Sequence, residues 1–219
     1  MKARLTTIET PHGPARVHRH QASLPVATLL LGHGAGGGVE AVDLQRLAQL
    51  LPRRGISVVL VEQPWRVAGK RVASAPPVLD VCFRAVANHL RPRNPVVVGG
   101  RSAGARVACR TAAQVGAVGV LALAFPLHPP GRPERSRAGE LTAVGLPTLV
   151  VQGSRDPFAT PAELAPFRTP RRRLVVVPGA DHGFAVRAGD GGREAADAAL
   201  DAVASVVGDW ALQHAGLTV

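Results

Sequence analysis

Tyrosine is absent from the 219-residue chain, lysine occurs only at Lys2 and Lys70, and aromatic side chains make up 3% of the total. All but two of the 26 basic residues are therefore arginine. A chain rich in Ala, Arg, Val and Gly and empty of tyrosine reads as a compositional bias of its coding sequence rather than a selected basic face. The net charge of +11 is spread along the chain, with Arg171-Arg172-Arg173 the sole run of three arginines. Phosphate recognition needs clustered cations that release counterions together, so this distribution argues against a nucleic-acid partner.

Long apolar runs are also lacking. Gly, Pro or His interrupts each charge-free stretch before the roughly 18 residues that a membrane span requires. The opening Met1-Lys2-Ala3-Arg4-Leu5-Thr6 leads into Thr, Glu, Pro and His rather than the apolar core, roughly 7–15 residues long, of a secretion signal. Cysteine is confined to Cys82 and Cys109, both in apolar segments, which suits buried thiols in a reducing, cytoplasmic compartment. No Cys/His cluster has metal-ligand spacing, so neither a metal nor another cofactor is expected. Internal repeats and low-complexity linkers are missing too.

What remains is 46% apolar, enough for one globular domain across 1–219 with its core at about 20–212. Residues 4–20 alternate weakly around Pro11-His12-Gly13-Pro14, which predicts a hairpin. Residues 26–31 form a continuous apolar run that ends at glycines, the pattern of a strand covered on both faces. From there helical periodicity (40–53, 77–91, 103–115, a short helix from 161, and 193–214) alternates with strands (56–61, 95–98, 118–125, 147–152, 174–177). Residues 128–139 read as a loop, too short for a lid domain. The alternation predicts an α/β fold with a mostly parallel central sheet, helices on both faces, and a minimal lid or none.

Sites in such sheets form where strands end at their carboxyl side. Gly100-Arg101-Ser102-Ala103-Gly104 matches G-x-S-x-G between an apolar strand and a helical segment, the setting that exposes a serine hydroxyl on a tight turn. A hydroxyl is a weak nucleophile at neutral pH and needs a base oriented by an acid. Asp156 and His182 each follow a predicted strand, giving the order Ser102, Asp156, His182. Asp181 adjoins the histidine too closely to orient it and is expected to cap its own loop.

Gly32-His33-Gly34-Ala35-Gly36-Gly37 supports two readings. With Glu62 ending the next strand it satisfies a dinucleotide-binding fingerprint. Alternatively it is an oxyanion loop, in which Gly34, Ala35 and Gly36 bring a backbone N–H toward a substrate carbonyl and Ala103 supplies the second donor. Only the second reading uses the serine, aspartate and histidine loops as well. A phosphate-binding P-loop is excluded, because no Lys-Ser or Lys-Thr follows the glycines. Arg101 and Arg155 flank the predicted nucleophile and acid and are candidates for holding an anionic substrate group. Arg101 or Arg106 would alternatively brace the turn against carboxylates. Trp65 is a candidate for the pocket wall.

These segments, together with Phe125-Pro126-Leu127-His128-Pro129-Pro130-Gly131 and Val151-Gln152-Gly153-Ser154, resemble the α/β-hydrolase superfamily. The resemblance is to its small dienelactone-hydrolase-like branch, and within it to predicted hydrolases related to a subunit of the nonspecific lethal chromatin complex. It covers about residues 20–212. It implies Ser102 as nucleophile, Asp156 as acid and His182 as base of an ester or thioester hydrolase acting on a small-molecule acyl substrate. Dienelactone hydrolases carry a cysteine nucleophile where this chain has Ser102. The chromatin-complex relation keeps a non-catalytic interaction module on the same scaffold as the rival reading.

Overall fold

A computed structural model describes residues 3–187 and 192–216. The predicted hairpin is β1 (Arg4–Ile8) and β2 (Ala15–His20). Its turn is closed by Thr10 Oγ1, which donates to the Gly13 carbonyl at 2.6 Å, and Gly13 supplies the left-handed φ of 105° that the turn requires. The hairpin pairs antiparallel with β4 (Ile56–Glu62) and extends the sheet at one edge.

The remaining strands are β3 (Ala27–Gly32), β5 (Val96–Arg101), β6 (Gly119–Leu123), β7 (Thr148–Gly153) and β8 (Arg172–Val177). One eight-stranded sheet results, in the order β1-β2-β4-β3-β5-β6-β7-β8, and every pairing from β4 to β8 is parallel. Strand order reverses at β3, which lies between β4 and β5. That switch point opens a crevice at the carboxyl ends of β3 and β5.

Strand periodicity divides the core in two. Leu29 and Leu31 face one side with Leu121 and Leu123, against Leu44 and Leu47 of α1 (Val42–Leu50) and Val203 and Val207 of α7 (Gly192–His214). Leu30, Val98 and Val120 face the other, against Phe83 and Val86 of α3 (Pro76–Leu90) and Ala105 and Ala108 of α4 (Ala103–Thr111). All six residues of β3 are buried, as its unbroken apolar run requires. Burying one such leucine contributes about 1.5–3 kcal/mol, so this strand anchors both layers.

The sequence places these elements well and their ends less so. The helix expected at 40–53 stops at Leu50 and continues as a 3-10 turn, Leu51–Arg54, which Gly55 ends at φ 78°. The helix expected at 103–115 stops at Thr111. Two short helices escaped the periodicity: α2 (Pro64–Val67) and α5 (Ala138–Thr142). The stretch 128–139, read as loop, contains a 3-10 turn at Pro133–Arg135 and the start of α5. The short helix from residue 161 is α6 (Pro161–Leu164), opened by a capping box between Thr160 and Glu163.

Candidate active site

The turn from β5 into α4 is built from close glycine contacts. A Cβ on Gly104 would collide with the carbonyl of Gly32 and lie 3.0 Å from the His33 carbonyl, and one on Gly100 would lie 2.8 Å from the Gly104 carbonyl carbon. Only bare backbone fits where the two strand ends and the helix meet. Between these glycines Ser102 is held at φ 53°, ψ −111°, a conformation that costs a non-glycine residue of order 1–3 kcal/mol. The Ser102 N–H donates to Leu123 O at 2.9 Å, and its hydroxyl lines the crevice.

Asp156 and His182 arrive from the loops after β7 and β8, two and three strands away from β5. Ser102 Oγ lies 3.0 Å from His182 Nε2, and His182 Nδ1 lies 2.7 Å from Asp156 Oδ2. The tautomer that satisfies both contacts has Nδ1–H donating to the carboxylate while Nε2 accepts from the hydroxyl. Asp156 is 1% exposed. Its carboxylate also accepts from Gln152 Nε2 at 2.7 Å and from the Phe158 N–H at 2.8 Å. Phe158 lies against the imidazole, ring centres 4.2 Å apart, and restricts its rotation. Asp181 accepts at Oδ1 from the N–H groups of Gly183 and Ala185, so it shapes the histidine loop rather than orienting the ring.

Facing this chain of contacts is the loop after β3. Gly34, Ala35, Gly36, Gly37 and Gly38 line a cavity of about 160 Å³ together with Arg101, Ser102 and His182. His33, 3% exposed, fixes the loop: its ring lies 2.8 Å from Gly34 O at Nδ1 and 3.1 Å from Gln63 N at Nε2. A carbonyl must receive a proton and an amide must give one, so the proton sits on Nδ1. Burial holds the His33 pKa below its ordinary value, which keeps this ring neutral and the arrangement fixed. Ala103 begins α4, so its N–H has no acceptor within the helix.

Of the residues singled out from the sequence, Ser102, Asp156 and His182 meet directly, and the glycine loop lies opposite them. Arg101 lines the cavity. Arg155 does not, although its backbone N–H reaches Ala180 O at 2.9 Å. Trp65 needs correction. It is 4% exposed and packs with its ring centre 5.5 Å from that of His33, because Pro64 starts the short α2 and turns the indole into the core. The sequence reasoning missed Gln152, Phe158 and His33 as supporting groups. Their signal was positional: Gln152 ends an apolar strand four residues before Asp156, and Phe158 follows that acid by two.

Arg106 braces the elbow's helix. Its guanidinium donates twice to Glu140 of α5, at 2.8 and 2.6 Å. Arg110, one turn on, joins Glu140 to Asp80 of α3. Cys82 and Cys109 are free and buried, and burial raises the Cys109 thiol to about 12, far from reactive. Among the described residues, no group of three or more His, Cys, Asp or Glu is placed to hold a metal ion, and no helix is long and apolar enough to cross a membrane.

A switch-point sheet with a serine on a strained strand-to-helix turn, facing a histidine from a later strand, defines the α/β-hydrolase class. Residues 25–211 match the family described as the alpha/beta hydrolase domain, and the chain belongs to it. No curated protein sequence matches the chain. Among solved structures it is similar to an α/β serine hydrolase without a lid from Xanthomonas campestris. They share 22% identity over 100% of this chain and 97% of that one, with a TM-score of 0.74. It is likewise similar to dienelactone hydrolase from Anabaena variabilis, at 18% identity over 97% of each chain and a TM-score of 0.73. Est1E from Butyrivibrio proteoclasticus is 14% identical, over 97% of this chain and 99% of that one, with a TM-score of 0.73. Among the described residues, the segments between β6 and β7 and between β7 and β8 hold only two short helices, two 3-10 turns and loops, with no separate lid domain.

Proposed function

We propose that the protein is a single-domain, cytoplasmic serine esterase or thioesterase that needs no cofactor and acts on small-molecule acyl substrates. The observation that carries the reading is the unbroken path from Ser102 Oγ to His182 (3.0 Å) to Asp156 (2.7 Å). In the reaction, His182 Nε2 takes the hydroxyl proton as Ser102 Oγ bonds to the substrate carbonyl carbon. Asp156 holds the imidazole and stabilises its cation. The carbonyl oxygen becomes an oxyanion that accepts from the N–H of Ala103 and from the 34–36 loop, Ala35 foremost. Collapse breaks the bond to the alcohol or thiol, which leaves with the proton from His182. Water, deprotonated in turn by His182, then bonds to the acyl carbon; the bond to Ser102 Oγ breaks, the serine takes the proton back from His182, and the acid is released.

The size of the crevice supports a short acyl group. A space of about 160 Å³ bounded by glycine backbone is small against the roughly 300 Å³ at which drug-sized pockets begin. The dinucleotide reading loses its acidic anchor, because Glu62 lies 3.2 Å from Arg16 and 3.3 Å from His18 and is engaged by these two residues of β2. A non-catalytic module related to the chromatin-complex branch gives no reason to keep Asp156 fully hydrogen-bonded to a histidine that reaches a serine.

Labelling by a fluorophosphonate probe, read by intact mass, tests the reading. One adduct is expected on the parent, none on Ser102→Ala, and slow labelling of His182→Ala. Absence of an adduct on the folded parent overturns the assignment in favour of the interaction module.

A further inference from the structure

A second buried carboxylate lies beneath the elbow. Asp43, in the first turn of α1, is 2% exposed, and neither of its oxygens has a hydrogen-bond partner. The nearest opposite charge is Arg101, whose Nε lies 3.9 Å away, is buried, and also lacks a partner. The other end of the same guanidinium is engaged: Nη2 donates to the backbone carbonyl of His182 at 3.0 Å. Arg101 is the residue before Ser102. One side chain thus spans from the start of α1, past the nucleophile's strand, to the backbone of the histidine loop.

We propose that Asp43, acting through Arg101, is a positioning residue for His182, an inference that rests on the esterase reading above. The carboxylate holds the guanidinium at the floor of the crevice, and the guanidinium holds the His182 carbonyl. The distance between Ser102 Oγ and His182 Nε2 is thereby fixed from the backbone side as well as from the ring side.

Three considerations lead here. A buried ion pair without hydrogen bonds is poor value for stability alone, so fold maintenance does not explain Asp43. Burial raises the Asp43 pKa, and the Arg101 charge, first among the opposing causes, acts against that rise together with the backbone N–H groups of Leu44 and Asp43 and the His182 ring. The histidine ring is restrained by Asp156 and Phe158, yet the other hydrogen bonds of its loop run within the loop or to the Ser154–Asp156 turn, through Gly179 N–H to Ser154 Oγ and Arg155 N–H to Ala180 O. Arg101 is the side chain that ties the loop to the strand carrying the serine. Arg101 was also a candidate for holding an anionic substrate; the inference assigns its charge to the protein instead and expects neutral esters to be accepted.

The test is a double-mutant cycle of Asp43→Asn and Arg101→Met, measuring kcat and KM for p-nitrophenyl acetate, fluorophosphonate labelling rate, and melting temperature. Each single substitution is expected to lower kcat and labelling about tenfold with KM within about twofold, since small misplacement of a reacting group is costly. The double variant is expected to be no slower than Arg101→Met alone, because both changes cut the same tether. A folded Asp43→Asn with parental kcat, or losses that multiply in the double variant, overturns the proposal. Should Asp43→Asn fail to fold, Asp43→Leu combined with Arg101→Met removes both charges at once; slow labelling supports the tether and parental labelling overturns it. A parent that neither labels nor turns over refutes the esterase reading itself, whereas an active parent with insensitive variants removes only this inference.

Discussion

Asp156 and Asp43 are the same side chain, both buried at 1% and 2% exposure, in opposite circumstances. Asp156 accepts from an imidazole, an amide side chain and a backbone N–H. Asp43 accepts from nothing and faces a cation across 3.9 Å. Burial alone therefore does not tell what a carboxylate is for. The donors that converge on it do, because a carboxylate held by several hydrogen bonds is fixed in place while one without them is held by charge alone.

The comparison is broken most severely at Asp156. Asp156→Asn keeps the shape but gives the imidazole an amide that can hold the wrong tautomer, so kcat for an ester is expected to fall by about 10⁴ with the fold intact, as steady-state kinetics and a melting curve would show. The Asp43 cycle described above comes next. Glu140 sharpens the contrast with a carboxylate that is well partnered but remote from the crevice. Burial raises its pKa, yet the hydrogen bonds and charges of Arg106 and Arg110 bring it below the ordinary range. Glu140→Ala is expected to cost about 1–3 kcal/mol in denaturant unfolding, with kcat little changed.

The smallest effect lies at the rim, where His128 and Glu163 meet at 2.9 Å. The Pro129 carbonyl and Glu163 raise the His128 pKa, and the Thr160 backbone N–H, the Thr160 hydroxyl and His128 lower Glu163 to about 2. The histidine's contribution is thus fully present below its unfolded value near 6.5 and fades as pH rises through the raised one. Melting of His128→Phe is expected to differ from the parent by no more than about 2–4 °C at pH 6, and by less at pH 9.

Much of this was legible in the chain. Strands buried on both faces announce themselves as unbroken apolar runs, and Ser102 and Asp156 each follow one, whereas His182 follows the partly exposed edge strand β8. The glycine loop was ambiguous by motif alone, and the ion pairs of Glu62 that count against a dinucleotide anchor were not readable, because their partners come from β2, a strand distant in sequence. Asp43 was invisible, because an acid in the first turn of a helix looks like an ordinary complement to the helix dipole. Only the fold brings it within 3.9 Å of Arg101. Trp65 was misjudged for a related reason: a helix of four residues leaves no periodicity to read.

The contact of Gly32, Gly100 and Gly104 separates two things that many sites entangle. Backbone against backbone sets where Ser102 stands, at glycines where no Cβ would fit. A Cβ at Gly36 or Gly37, by contrast, would meet nothing within 4 Å. That side of the crevice is therefore open to redesign: side chains added at these two positions would reshape the space beside Ser102 and leave the serine where it is.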